Sequence, residues 1–347
     1  MAMADVTVRG AGIFGLSIAW ACARRGARVV VVDPHGPGAG ASGGVVGALA
    51  PHVPERWNAK KAFQFDSLIM AEDFWTDVAM TGGVSPGYRR NGRLQPVADA
   101  EALELARARS VSAETLWQGL ARWEVISASE ALGWAPVSPT GWLIRDTLSA
   151  RLHPARAVAA LVAALRASRC RVVTDAPDSG VVVWATGAAG LQDLSEAMDR
   201  PVGTAIKGQA AVLDTRLAPG APQLFSDGVH IVPHADGTVA VGSTTERTFK
   251  DPRATDDQLD AVIAQARLAV PALAAAPVLA RWAGLRPRAR SRAPVLGPWP
   301  GRPGHYLANG GFKIGFGMAP KIAEIMANLV LRDIDDIPDD FRLERCL

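Results

Sequence analysis

The sequence predicts an α/β protein in which a parallel βαβ domain is interleaved with a second, α+β domain built on antiparallel strands. Three observations predict it. A strand, a glycine loop, a helix and a second strand occupy residues 5–33; α/β alternation resumes after His153; and residues 202–243 read as long alternating strands with a turn at His234-Ala-Asp-Gly237.

Taken in order, Asp5–Arg9 is a short strand, Gly10–Gly15 a tight loop, Leu16–Arg25 a helix and Arg28–Val32 a β-branched strand ending at Asp33. Trp57–Ala79 carries helical periodicity through Phe63, Leu68, Phe74, Trp75 and Val78, and Arg93–Val97 reads as a strand. Two helical stretches are expected between Ala100 and Leu120, and Ser127-Ala-Ser-Glu130 fits a capping box opening a third. His153-Pro154 starts a helix running to Ala167, followed by strands at Arg171–Thr174 and Val181–Ala185. Thr255-Asp-Asp-Gln258 caps a helix to about Ala269, and the last helix runs from about Gly317 to Arg332. No internal repeat interrupts this order.

At 347 residues the chain suits two domains, and a charged fraction of 20% argues against disorder. Thirty-seven Lys and Arg against 34 Asp and Glu leave too small a basic excess for a phosphate-tracking surface, so no nucleic-acid partner is expected. The basic run Arg286–Arg292 reads as a solvated loop apart from its first residue. Cys22, Cys170 and Cys346 form neither a CxxC pair nor a metal spacing, which fits a reducing cytoplasm. Ala11–Ala23 is apolar, but Arg9 alone precedes it, glycines punctuate it and Arg24-Arg25 follow it; a buried helix is expected rather than an export signal. No apolar stretch reaches the ~20 residues of a membrane helix.

Gly10-Ala-Gly12-Ile-Phe-Gly15 follows a strand and opens a helix. In this context the first glycine makes the turn, the second admits a pyrophosphate and the third lets helix and strand pack, with the diphosphate on the helix N-terminus. Asp33, at the end of the second strand, can accept from ribose hydroxyls and would repel a ribose phosphate. This fingerprint marks a Rossmann-type unit without separating FAD from NAD.

Further segments resolve the choice. Gly40-Ala-Ser42-Gly43-Gly44-Val-Val-Gly47-Ala-Leu-Ala-Pro51 resembles the flavin loop of the D-amino-acid-oxidase superfamily, in particular its glycine oxidase and sarcosine oxidase branch. Val183-Trp-Ala185-Thr-Gly187 resembles the family's second strand-end signature, Val202–Gln209 its strand into the substrate domain, Val229–Thr244 its paired sheet strands and Trp282–Pro287 its substrate-arginine motif. Asn309–Gly315 resembles the final flavin-contacting loop. The resemblance implies a Rossmann-type FAD-binding domain (1–85, 141–200 and 284–347) and a discontinuous antiparallel-sheet substrate domain (86–140 and 201–283). It implies FAD contacts from Gly10, Gly12, Ile13, Phe14 and Gly15; from Asp33 and Pro34; from Ala41, Ser42, Gly47, Ala48 and Leu49; from Val172 and Val173 beside the adenine; from Ala185, Thr186 and Gly187; and from Gly311, Phe312, Lys313 and Ile314. The expected FAD is non-covalent, since no Cys or His matches an attachment position.

The implied reaction is oxidation of a C–N bond in a small amino acid or amine, by hydride transfer from the α-carbon to flavin N5 and hydrolysis of the imine. Oxygen or a quinone accepts the electrons, and a homo-oligomer is compatible with the sequence. Arg286, His230 and Lys313 are the candidate catalytic residues: Arg286 to grip the substrate carboxylate, and Lys313 either as a charge at the flavin N1–C2 edge or as a surface lysine. His230 either lines the pocket or is a buried, hydrogen-bonded histidine. His230 and His234 do not form a metal pair, because on a strand their Cα atoms lie about 13 Å apart, and no metal is expected. Trp57, Trp75 and Trp142 are core residues or pocket walls. The chain departs from the family where Asp33 replaces the usual Glu, where Ala289-Arg-Ser291-Arg292 replaces Thr-x-Asp-Gly, and where His230 stands at a common Tyr position. Two alternatives stand beside this reading: a flavin-binding protein of the same fold with little or no turnover, which the changes after Arg286 suggest, and a nicotinamide-dependent dehydrogenase, which the fingerprint shares.

Overall fold

A computed structural model describes residues 3–131, 133–218 and 220–347. Two large sheets organise it. The first has six strands in the order Val295–Pro298, His305–Asn309, Val181–Trp184, Val6–Arg9, Val29–Val32, Arg171–Val173, parallel throughout except for the edge pair 295–298 with 305–309. Its central strands are runs of valine, as expected where helices cover both faces and no alternation is needed.

Seven helices lie among the described residues: α1 (Ile13–Arg24), α2 (Ala59–Gly82), α3 (Ala100–Leu116), α4 (Pro154–Ala167), α5 (Gly187–Ala197), α6 (Asp257–Ala269) and α7 (Gly315–Arg332). Helix α1 is the crossover between strands 6–9 and 29–32 and is apolar all round, because α4 and α7 pack on it. The Asn58 side chain caps α2 by accepting from Lys61 N, and Gly83 closes that helix at φ +66°. Buried residues of α1, α2, α4 and α7, including Leu16, Leu68, Trp75, Leu161 and Met326, form the main core.

The second sheet has eight strands in the order Val278–Ala289, Gly203–Asp214, Thr238–Gly242, Val229–Pro233, Gln223–Ser226, Arg93–Pro96, Trp142–Asp146, Trp123–Ser127. All its pairings are antiparallel except that of 93–96 with 223–226. Helix α6 covers its lower face over a separate core that includes Leu224, Ile231, Val241, Leu259 and Ile263. A two-residue strand, Ala48–Leu49, pairs with Ala150–Arg151.

Several expectations change. One unbroken helix, α3, replaces the two expected between 100 and 120, since no Gly or Pro interrupts its Ala-, Glu- and Leu-rich run. The capping box at Ser127 and Glu130 forms, but Gly133 at φ +74° lets it open only a 3-10 turn at Ala128–Glu130. The cap of α6 is Asp256 rather than Thr255, and α7 begins two residues early, at Gly315. Trp142–Asp146, assigned to the nucleotide domain by a boundary at 141, hydrogen-bonds on both sides within the eight-stranded sheet.

Gly15 tests the helix–strand packing. A Cβ there would stand 1.9 Å from the Gly10 carbonyl oxygen, whereas at Gly40 it would meet nothing within 4 Å. Gly15→Ala should lose at least about 1–3 kcal/mol in urea unfolding at unchanged m value. Gly40→Ala should stay within about 0.5 kcal/mol.

Candidate active site

The N-terminus of α1 is left open. Ala11 N donates to Asp33 Oδ2 at 2.8 Å and Ile13 N to Ser42 Oγ at 2.9 Å. Among the described residues, the Gly12, Phe14 and Gly15 N–H groups donate to no protein acceptor. Three free donors at the positive end of a helix, beside glycines, fit an anionic diphosphate. Gly10, at φ +102°, lies so close to the 181–184 strand end that a Cβ would meet Ala185 O at 2.3 Å. A Cβ on Gly12 would touch Ser42 Oγ, and one on Gly311 would run into the Phe14 ring at 2.8 Å. Asp33 N is bonded to Val173 O, which sets Val172 and Val173 beside the carboxylate. The carboxylate also accepts from His35 N, with Pro34 exposed between them. Gly187, at φ +64°, begins α5 directly after Ala185 and Thr186. Four segments distant in sequence thus converge on one helix terminus.

From there residues 41–49 run between the two sheets. Ala41 and Ser42 lie in a 3-10 turn, and Gly47 passes so near Leu152 that a Cβ would stand 2.0 Å from its carbonyl oxygen. The eight-stranded sheet turns one face to this segment. Directly opposed residues on neighbouring strands share a face, and the register aligns Trp282, Ala210, Gly242, His230 and Phe225 in one row. The row is low in the middle: a Cβ on Gly242 would meet Val46 at 2.9 Å, and one on Gly44 would lie 3.4 Å from the Trp282 ring. His234 Nε2 pairs with Val45 O, and Gln223 Nε2 donates to Leu49 O at 3.3 Å and Ala150 O at 2.9 Å.

A cavity of about 210 Å³ opens at the end of this segment, lined by residues 48–52, Gln64, Arg93, Phe225, His230, Lys313, Ile314 and Gly317. Its charged groups are all basic. Arg286 does not line the cavity itself; its guanidinium lies across Gly208, donates from Nη1 to Thr244 O at 3.1 Å, and is 9% exposed. Among the described residues no carboxylate lies within ion-pair distance of it, the nearest electrostatic influence being Glu246, which is held by Lys207 and Gln209. Burial, offset in part by Glu246, brings the Arg286 pKa down to about 10, so it remains a cation at neutral pH. Burial, then the charges of Arg93, Lys313 and Arg286, push His230 down to about 3; its Nδ1 is buried without a partner. Lys313 is exposed as a residue, but the crowding of its ammonium and then the Arg286 charge lower its pKa.

The three candidate catalytic residues therefore act on one another electrostatically although they come from three separate segments. Phe312 sits in the left-handed region at φ +40°, donates its N–H to Pro287 O and carries Lys313 over its ring at 5.8 Å. Trp57 packs edge-on to Phe65, Trp75 is fully buried and Trp142 lies partly exposed near Arg107, so none lines the cavity. Sequence reasoning missed Arg93, Phe225, His52 and Gln64. A charged residue in Gly92-Arg-Leu94, at the start of a strand, was the available signal for the first. Among the described residues, no cluster of metal-ligating side chains occurs and no helix is long and apolar enough to cross a membrane.

The parallel sheet with its open helix terminus, set against an antiparallel sheet bearing buried cations, defines a dinucleotide-binding enzyme of two interleaved layers. Residues 5–329 match the family model described as DAO, FAD dependent oxidoreductase, and the chain belongs to that family. It is 27% identical over 94% of its length to a glycine oxidase of Pseudomonas putida, covering 94% of that protein. To a Rhizobium etli protein named as a thiamine-biosynthesis oxidoreductase, ThiO, it is 30% identical over 94% of its length and 97% of the relative's. The crystal structure of iminodiacetate oxidase from Chelativorans sp. BNC1 superposes with a TM-score of 0.84 at 22% identity, covering 97% of this chain and 98% of that one. The protein is a FAD-dependent oxidoreductase of the glycine-oxidase-like branch.

The depressed pKa of His230 has a checkable sign. The unfolded side chain takes up a proton near pH 6.5 and the folded one only near 3, so its contribution to stability is full above about 6.5 and lost as pH falls toward 3. Replacing it by Gln removes that loss. The stability of the wild type relative to His230→Gln should be level above pH 7 and fall below pH 6.5, by at most about 1.4 kcal/mol per pH unit. A difference that is flat down to pH 4 would mean that His230 titrates normally.

Proposed function

We propose that the enzyme oxidises the C–N bond of a small amino acid or related amine, with Arg286 as the anchor of the substrate carboxylate. The observation that carries this reading is a buried guanidinium on the sheet face above residues 44–49, held by a single backbone carbonyl and without a carboxylate partner. A planar fork with unused donors suits a carboxylate through two parallel hydrogen bonds, which orient the α-carbon as well as bind it. The glycine oxidase relative and the iminodiacetate oxidase fold support the same substrate class.

The division of labour follows the sheets. Residues around the strand ends of the six-stranded sheet would hold FAD: the free N–H groups of Gly12, Phe14 and Gly15 and the Ser42 hydroxyl would take the diphosphate, and Asp33 the ribose. Bound there, FAD would supply the two-electron redox chemistry. The eight-stranded sheet supplies substrate orientation through Arg286. His230, neutral over the physiological range, offers an unpartnered ring nitrogen for a hydrogen bond without adding charge. Lys313 and the N-terminus of α7, two residues on, would bring positive potential to the edge of a bound flavin that gains charge on reduction. Oxygen or a quinone would be the electron acceptor, and the three buried, unpaired cysteines suit a reducing cytoplasm.

Anaerobic mixing with glycine, sarcosine, proline or D-amino acids should bleach the flavin. Failure of every amino acid and amine would sink the proposal. Arg286→Lys should lose kcat/KM and Arg286→Ala should lose more; the wild-type preference for acids over the corresponding amides should shrink in Arg286→Ala. Equal use of amides and acids by the wild type would remove Arg286 from the anchoring role.

FAD is held without a covalent bond, so acid precipitation should leave the yellow colour in the supernatant. Asp33→Ala should weaken FAD binding about ten- to a hundredfold, the worth of a charge-assisted hydrogen bond. Unchanged affinity, measured by fluorescence titration of apoprotein, would place the ribose elsewhere.

A further inference from the structure

The cavity is lined by a guanidinium other than that of Arg286, one that anchoring a single carboxylate does not use. Arg93 is 6% exposed and enters from the strand 93–96, four places along the sheet from the strand 203–214 that pairs with the Arg286 strand, and on the far side of His230. Its Nε donates to Asp146 Oδ2 at 2.9 Å, and Asp146, fully buried, spends its other oxygen on Ser149 N at 2.8 Å. Among the described residues, neither Nη atom of Arg93 donates to a protein acceptor, and neither is fully cut off from solvent. The pair with Asp146 fixes the guanidinium through one nitrogen and leaves its terminal edge facing the space it shares with His230 and Lys313. The Phe225 ring, 5.9 Å from Arg93 Cζ and 4.7 Å centre to centre from the His230 ring, spans the gap between the two residues.

Charge makes this arrangement specific. No carboxylate lines the cavity, and Asp146 lies behind Arg93, where its buried charge compensates the cation without filling the free donors. A buried guanidinium edge with no acceptor is costly unless a ligand completes it, and a carboxylate is the acceptor whose geometry matches it. Resting on the reading that Arg286 takes the α-carboxylate, we propose that Arg93 is a specificity-determining residue that receives a second carboxylate, making the preferred substrate an amino acid with two acidic groups. The second group can stand on the amino acid's side chain or on a substituent of its nitrogen; the chemistry Arg93 recognises is the same.

The test uses FAD-loaded protein and an artificial dye acceptor, with matched pairs: iminodiacetate against sarcosine, and DL-aspartate or DL-glutamate against DL-2-aminobutyrate. In at least one pair the dicarboxylate should have the higher kcat/KM, by about ten- to a hundredfold, mainly through KM. Which pair shows it decides between a carboxylate on nitrogen and one on carbon. Arg93→Lys keeps a cation against Asp146 but loses the fork, and should reduce the dicarboxylate-to-monocarboxylate ratio at least about tenfold. If that variant does not fold, calorimetry on the wild type still decides, since malonate or succinate should bind more tightly than acetate or propionate. Monocarboxylates that are oxidised and bound as well as their dicarboxylate partners would overturn the role of Arg93 while leaving amino-acid oxidation intact. Bleaching by neither kind would instead overturn the amino-acid reading on which it rests.

Discussion

Residues 41–49 are clamped from both sides at backbone distance. On one side Ser42 is tied to Ile13 N at the helix terminus; on the other Val46 and Gly44 rest against Gly242 and Trp282 of the antiparallel sheet. His234 and Gln223 bond the segment's carbonyls, and Gly47 leaves no room for a Cβ against Leu152. A segment held in this way has little freedom to move, and it carries the relative position of the two sheets with it. On the proposed function, the distance between a cofactor on the first sheet and a substrate held by the second would therefore depend on small residues in the middle. Their lack of side chains is a requirement of packing, since a single added methyl at several of them would collide with main chain.

The same economy of side chains makes the cations possible. Arg286 lies flat over Gly208, where a Cβ would fall 2.0 Å from its Nη1. Glu246, which could have neutralised it, is instead committed to Lys207, Gln209 and the Thr244 hydroxyl. Burying an arginine without a counter-ion costs stability, and its persistence here is understandable as a site completed by a ligand rather than by the fold. Arg93 shows the contrasting solution, since Asp146 neutralises it yet occupies only one of its nitrogens.

Most of the nucleotide half was legible in the sequence because its contacts are made by backbone and glycine. GxGxxG, Asp33, Ser42 and Gly187 sit at strand ends and helix starts, where local pattern and three-dimensional place coincide. The boundary at 141 failed for the opposite reason. Trp142–Asp146 has nothing local to mark which sheet it joins; its place follows from pairing with Arg93–Pro96, some fifty residues earlier. Arg93 was missed with it, because the role of a lone basic residue in a four-residue strand depends on Asp146 behind it and on Phe225 and His230 beside it. His230 stood open between pocket wall and buried partner of a hydrogen bond. The structure sets it at the cavity with its Nδ1 unbonded, which neither its position on a strand nor its spacing to His234 could show.

The burial and positive potential that keep His230 neutral bear on any amine that enters beside it. An amino acid arrives in water as an ammonium, the form without a lone pair, and loss of hydride from carbon requires that lone pair to become the second bond of the imine. In a cavity walled by Arg93 and Lys313 and near Arg286, an ammonium meets the same two influences that lower the imidazole pKa, namely burial and like charge. On the proposed function, a carboxylate at Arg286 would remove one positive charge and Asp146 offsets that of Arg93, which leaves the charge of Lys313. Burial first and then the Arg286 charge lower its own pKa as well. On the proposed reaction, the protein thus favours deprotonation of the amine through the summed charge of the site. A carboxylate base is not required, and none lines the cavity.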